Sequence, residues 1–125
     1  MWIALTVVAL AGVGIVVVGW MGLTGSLPRN GVAGVRTRFT RSSDAAWKAT
    51  HRAAGPYLVF GGVAAIMVAL AFLPFTAAGK VSTGIAAAAV LVAALLLGAT
   101  AIAGGLLGVR SAKRQLSAAD GDQTL

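Results

Sequence analysis

The side chains able to do chemistry are few. His51 is the one histidine, Asp44, Asp120 and Asp122 are the only acids, and the chain has no cysteine. Disulfides, thiolate metal sites and cysteine nucleophiles are therefore excluded. A lone histidine without companion ligands is a poor metal site, so neither a metal nor a cofactor is expected. Ser43, Asp44 and His51 can be drawn as a triad, but seven helical positions carry His51 about two turns, roughly 10 Å, from Asp44. An enzyme acting on lipid headgroups would have to draw on Asp44 and His51 alone for acid and base work, which makes it the weakest reading. The expected work is binding, not catalysis.

Ser43, Asp44 and His51 lie in a polar stretch from Leu27 to Gly55. Pro28, Gly31 and Gly34 predict a turn-rich first part. Ser42 or Ser43 can cap a short helix that carries Asp44 in its first turn. Asp44 and Lys48, four apart with the acid first, would support that helix by about 0.3–0.5 kcal/mol. Asp44, Trp47 and His51 recur at i, i+3 and i+7 and so share a face, with Lys48 and Arg52 beside it. The spacing predicts a short amphipathic helix at a membrane interface.

The elements around this stretch follow from composition. Of the 125 residues, 58% are hydrophobic and only 10% charged, and the mean hydropathy is +0.91. An ordinary water-soluble domain with so few charges would not cover its surface. Charge is absent from Trp2 to Leu27, from Ala53 to Gly79 and from Val81 to Val109. Each stretch exceeds the roughly 20 residues that span a bilayer, and none holds two passes. Pro74, Gly79, Lys80, Ser82 and Gly84 read as a reversal. The expected architecture is all-α: helix 1 over about 2–27, a basic loop over 28–53, helix 2 over about 54–73, a turn over 74–83, helix 3 over about 84–109, and a small polar tail over 110–125. Transmembrane strands would alternate apolar and polar residues, and these runs do not. The first run has no basic residue before it and is too long for a secretory signal, so it is expected to stay attached.

Basic residues set the expected orientation. Arg29, Arg36, Arg38, Arg41, Lys48 and Arg52 lie in the loop, Arg110, Lys113 and Arg114 in the tail, and Lys80 alone at the hairpin tip. The positive-inside rule places loop and C-terminus in the cytoplasm of a bacterial inner-membrane protein, with the N-terminus outside. A sequence pI of 11.6 suggests nucleic acid, but charge explained by topology needs none, and no nucleic-acid partner is expected.

Within the polar stretch, Arg29 and Asn30, then Gly34, Val35, Arg36 and Thr37, then Thr40, Ser42, Asp44, Trp47, His51 and Gly55 form an ordered series. It resembles the signature of the SdpI family of bacterial immunity proteins, and the layout is similar to that family's short, three-helix form. The resemblance implies a membrane protein that protects a cell from a secreted killing peptide, and in one form recruits a soluble repressor to the membrane. The partners to expect are therefore membrane lipids, a peptide toxin or membrane protein complex, and a soluble cytoplasmic protein. An accessory subunit of a larger assembly, such as a lipid transporter, is the alternative.

The expected partner or headgroup site comprises Asn30, Arg36, Thr37, Asp44, Trp47 and His51. Arg36 leads, because a guanidinium can hold a carboxylate or phosphate through two bonds and its GVRT context matches the signature. Arg29, Arg38 and Arg41 read equally well as a topology signal or as headgroup contacts. Trp47 reads first as an interfacial anchor, and otherwise as a plug packed against the membrane helices. His51 reads first as a structural hydrogen-bonding residue. Gly98, Gly104 and Gly108 mark an expected helix-packing face, the last two in a GxxxG spacing. No ionisable group lies inside the three spans, so the chain alone builds no proton relay.

Overall fold

A computed structural model describes residues 1–124, with side chains through Gly121. It contains three α-helices, α1 (Trp2–Thr24), α2 (Asp44–Ala77) and α3 (Thr83–Thr124), and a 3₁₀ turn over Thr40–Ser42, with no strand among the described residues. All three helices are long and apolar enough to cross a membrane.

Three boundaries differ from expectation. The short interfacial helix is not a separate element: α2 starts at Asp44 and runs unbroken into the apolar span. Ala45, Ala46, Lys48, Ala49, Arg52, Ala53 and Ala54 are strong helix formers and nothing among them stops the chain. At about 1.5 Å per residue its 34 residues reach about 51 Å, well past a hydrocarbon core of about 30 Å. The turns carrying Asp44, Lys48 and Arg52 thus project beyond the apolar span. The reversal is also shorter than expected, because Pro74 lies inside α2. The helix ends where Gly79 takes a left-handed φ of 70°. There Lys80 N–H donates to the Phe75 carbonyl (2.8 Å) and Gly79 N–H to that of Thr76 (3.1 Å), a glycine-terminated cap. Ser82 opens α3 by accepting from Ile85 N–H (3.2 Å).

The polar tail, finally, continues α3 to Thr124, since Ser111, Ala112, Lys113, Arg114 and Gln115 carry no helix breaker. Leu125 and the side chains of residues 122–124, also part of that tail, lie outside the description.

The helix α2 packs along both neighbours, whereas α1 and α3 meet only briefly. Small residues set these approaches, as expected where lipid removes any hydrophobic drive between helices. Against α1, a Cβ placed on Gly62 would stand 2.7 Å from the Gly12 carbonyl, and one on Gly22 would stand 2.7 Å from that of His51. Against α3, a Cβ on Gly104 would stand 2.9 Å from Tyr57 Cβ, and one on Gly108 would stand 2.8 Å from the Thr50 carbonyl. Gly98, expected on the same face, has nothing within 4 Å: six positions before Gly104, it is carried by the helical period to the other side. At the hairpin end all three helices meet around Leu5, Ala69 and Ala89. Toward the loop, α1 and α3 diverge.

Candidate functional site

The loop between α1 and α2 folds back over the opening between α1 and α3. Its first part is an Asn-centred turn: Asn30 Oδ1 accepts from Val32 N–H (2.8 Å) and Ala33 N–H (2.7 Å), and Nδ2 donates to the Pro28 carbonyl (2.8 Å). The Arg36 guanidinium donates to the Gly31 carbonyl across this turn. Its second part is built on Thr40, which is fully buried. Thr40 Oγ1 donates to the Val35 carbonyl (2.7 Å) and accepts from Thr37 N–H (2.8 Å), while Thr37 Oγ1 accepts from Thr40 N–H (3.1 Å).

The loop is fastened to α2 by two buried side chains. Trp47 is 1% exposed, and its indole N–H donates to the Leu27 carbonyl (2.9 Å). It is a plug inside the fold, not an anchor in the headgroup zone. One turn on, His51 stacks on it with ring centroids 4.1 Å apart. His51 Nδ1 lies 2.7 Å from the Trp47 carbonyl, and Nε2 lies 2.8 Å from Val35 N. A carbonyl only accepts and a peptide N–H only donates, so the ring is neutral with its proton on Nδ1. Its position beyond the apolar span still leaves it dry. Burial pushes its pKa below the ordinary value, and the Trp47 carbonyl offsets part of that. Gly34, at φ 103°, makes the contact possible, since a Cβ there would run into Nε2.

The structure therefore divides the expected site residues. Trp47 and His51 come together under the loop, while Asn30, Arg36 and Thr37 shape it from above. Asp44 goes elsewhere: it pairs with Arg29 (3.0 Å), not Lys48, and both side chains are solvent-exposed. Ser43 Oγ caps α2 by accepting from Ala46 N–H (3.0 Å). With Asp44 on the surface and both His51 nitrogens occupied, the paper triad is not assembled. Thr40, part of the ordered series but not of the expected site, and Leu27 complete the arrangement; the Thr-x-x-Thr spacing of Thr37 and Thr40 is a local turn signal that points to the former.

Beneath the loop lies a groove of about 950 Å³, at the upper end of the roughly 300–1,000 Å³ typical of small-molecule sites. One wall is Gly14, Ile15 and Val18 of α1, the other runs from Ala101 to Arg110 of α3, Leu58 lies between them, and residues 32–35 with Thr37 form the roof. Val35 also approaches α3, with its methyls 3.7–3.8 Å from where a Cβ on Gly105 would stand. Among the described residues, Thr37 and Arg110 are the only lining ones with polar side chains. The groove continues past Thr37 and Val109 into a second recess lined by Arg38, Phe39, Ser42 and Lys113. There Lys113 Nζ sits 5.3 Å from the Phe39 ring centroid, within cation–π range.

Three apolar spans joined by a structured polar loop that closes over a groove define an α-helical membrane protein. The model of the SdpI/YfhL protein family matches residues 26–109, from the loop to the end of the third apolar run. The chain belongs to that family. No curated protein and no solved structure matches it.

Proposed function

We propose that this protein is a non-enzymatic binding protein of the bacterial inner membrane, which takes an elongated apolar partner from the bilayer into the groove between α1 and α3, in an immunity or signalling role. One observation carries the reading: an apolar groove is roofed by a polar loop whose buried residues, Trp47, His51 and Thr40, are all committed to holding it in place. Binding rather than catalysis is supported by the engagement of Asp44 with Arg29 and of both His51 nitrogens with backbone. The orientation is argued from charge: nine of the ten basic residues lie at the loop end, which belongs on the cytoplasmic side. Cysteines placed at Gly79 and Ser117 of this cysteine-free chain test it. In intact cells an impermeant maleimide is expected to label the first and not the second.

The groove is tested by filling it. Gly14 lines it and has nothing within 4 Å of a would-be Cβ, so Gly14→Phe occupies the space without disturbing a helix contact. Cells expressing the chain are challenged with a panel of secreted apolar antibacterial peptides. Protection by the parent and by Gly98→Phe, lost in Gly14→Phe at equal expression, is the expected result. Equal protection by all three would remove the groove from the function.

The competing reading is an accessory subunit of a larger membrane assembly. It draws on the bare α3 face around Gly98, where Leu91 and Leu95 are also exposed. Co-purification at fixed stoichiometry, abolished by Gly98→Phe, would favour it.

A further inference from the structure

Resting on that reading of the groove, we infer that its resident occupant is an anionic phospholipid of the leaflet on the loop side, with an acyl chain in the groove and its phosphate held by Arg38, Arg110 and Lys113. Three observations converge on this ligand. The first is length. The α3 wall runs from Ala101 to Arg110, about nine steps of 1.5 Å or about 14 Å, which is the depth of one leaflet's half of a roughly 30 Å hydrocarbon core. A groove of that length and side-chain character fits a single leaflet's chain rather than a helix crossing the whole bilayer.

The second is the change of chemistry at one end only. Along the spans the lining is Gly, Ala, Val, Leu and Ile, and polarity begins at Thr37 and Arg110, where the groove opens into the recess that holds Arg38, Ser42 and Lys113. An amphiphile with its charge at one end matches this division. The third is sign. Among the described residues no acid lines the groove, the recess, or the neighbouring hollow of Arg110, Ser111 and Arg114. The nearest acid in sequence to the loop cations, Asp44, is paired with Arg29. Among the described residues the cations Arg38, Arg110 and Lys113 have no carboxylate partner, which suits a phosphate, and a zwitterionic headgroup would bring its own positive charge to the same place. Arg36, the leading expectation for such a contact, instead braces the Asn30 turn through Gly31.

The test uses the full chain in vesicles of equal phosphatidylglycerol and phosphatidylcholine, with one lipid at a time carrying a photoreactive group at its acyl terminus. Cross-linked peptides are mapped by mass spectrometry. Phosphatidylglycerol is expected to label the groove segments around Ile15 and Ile102 preferentially, and Leu91 and Leu95 on the open face without preference. Arg110→Gln and Lys113→Gln are each expected to lower the preference about fivefold, the ratio that corresponds to about 1 kcal/mol per basic residue near a membrane surface. Gly14→Phe should remove groove labelling and leave the open face unchanged. Equal groove labelling by the two lipids, or a preference indifferent to both charge variants, would overturn the inference. If that happens while Gly14→Phe still abolishes peptide protection, the groove keeps its proposed function and loses only this occupant.

Discussion

Val35 and His51, 16 positions apart in the chain, are joined by a 2.8 Å hydrogen bond from the Val35 peptide N–H to Nε2 of the imidazole. This bond ties the roof of the groove to the helix behind it, and it exists because the Trp47 carbonyl accepts from Nδ1–H, which holds the proton on that nitrogen and leaves Nε2 free to accept. Val35 also closes toward Gly105, so the same residue touches two of the three helices.

Replacing the acceptor should release the roof. His51→Phe keeps a ring in the buried site but leaves Val35 N–H unsatisfied, a loss of about 1–3 kcal/mol. Hydrogen exchange of the segment 32–37 is expected to accelerate at least tenfold in lipid nanodiscs, with 101–110 of α3 unchanged. Unaltered exchange at 32–37 would show that the loop is held by its internal threonine bonds alone.

Acid should do the same reversibly. Burial lowers the His51 pKa in the folded protein below the ordinary 6.5, so the unfolded chain binds the proton more readily. Stability from this site is then complete above about pH 6.5 and is lost as pH falls through the lower folded value. Protonation also puts a second N–H on the ring, facing that of Val35. Melting temperature is expected to fall between pH 7.5 and 5 in the parent and to depend less on pH in His51→Gln. Parallel profiles would place the acid sensitivity elsewhere.

Gly22 and Gly98 make a matched pair. An added methyl at Gly22 would lie 2.7 Å from the His51 carbonyl, whereas one at Gly98 meets nothing. Gly22→Ala is expected to cost about 1–3 kcal/mol by forcing α1 away from α2, and Gly98→Ala to change stability by less than about 0.5 kcal/mol. Thermal unfolding in detergent reads both.

Two buried threonines are expected to respond in opposite directions. Thr50 Oγ1 is buried without a hydrogen-bond partner among the described residues, and Thr50→Val, which keeps the shape, should raise stability by about 1 kcal/mol. Thr40→Val removes bonds to Val35 and Thr37 and should lower it by about 1–3 kcal/mol. A destabilised Thr50→Val would reveal a partner for that hydroxyl in the membrane-bound protein.

Much of the local chemistry was legible beforehand. A helix cap at Ser42 or Ser43, a turn at Gly34, and Trp47 with His51 on one face all follow from side-chain size, bonding groups and the helical period, whereas Asn30, expected to meet a partner, shapes the turn instead. The partners were not. Asp44 lay four residues from Lys48, a favourable spacing, yet it bonds Arg29, which the returning loop brings alongside. The favoured role of Trp47 failed for a related reason: an indole suits an interface and a dry pocket equally well, and only the Leu27 carbonyl arriving above it selects the pocket.

Composition along the chain was enough to specify three membrane-crossing helices and a lopsided distribution of positive charge, because transfer into lipid depends on each segment's own residues and not on its neighbours. Helices that are apolar all round carry no stripe to say which face turns inward. That α2 lies between the other two, that α1 and α3 part toward the loop, and that a groove opens there were settled by close approach at Gly12, Gly22, Gly62, Gly104 and Gly108, a matter of shape between segments far apart in sequence.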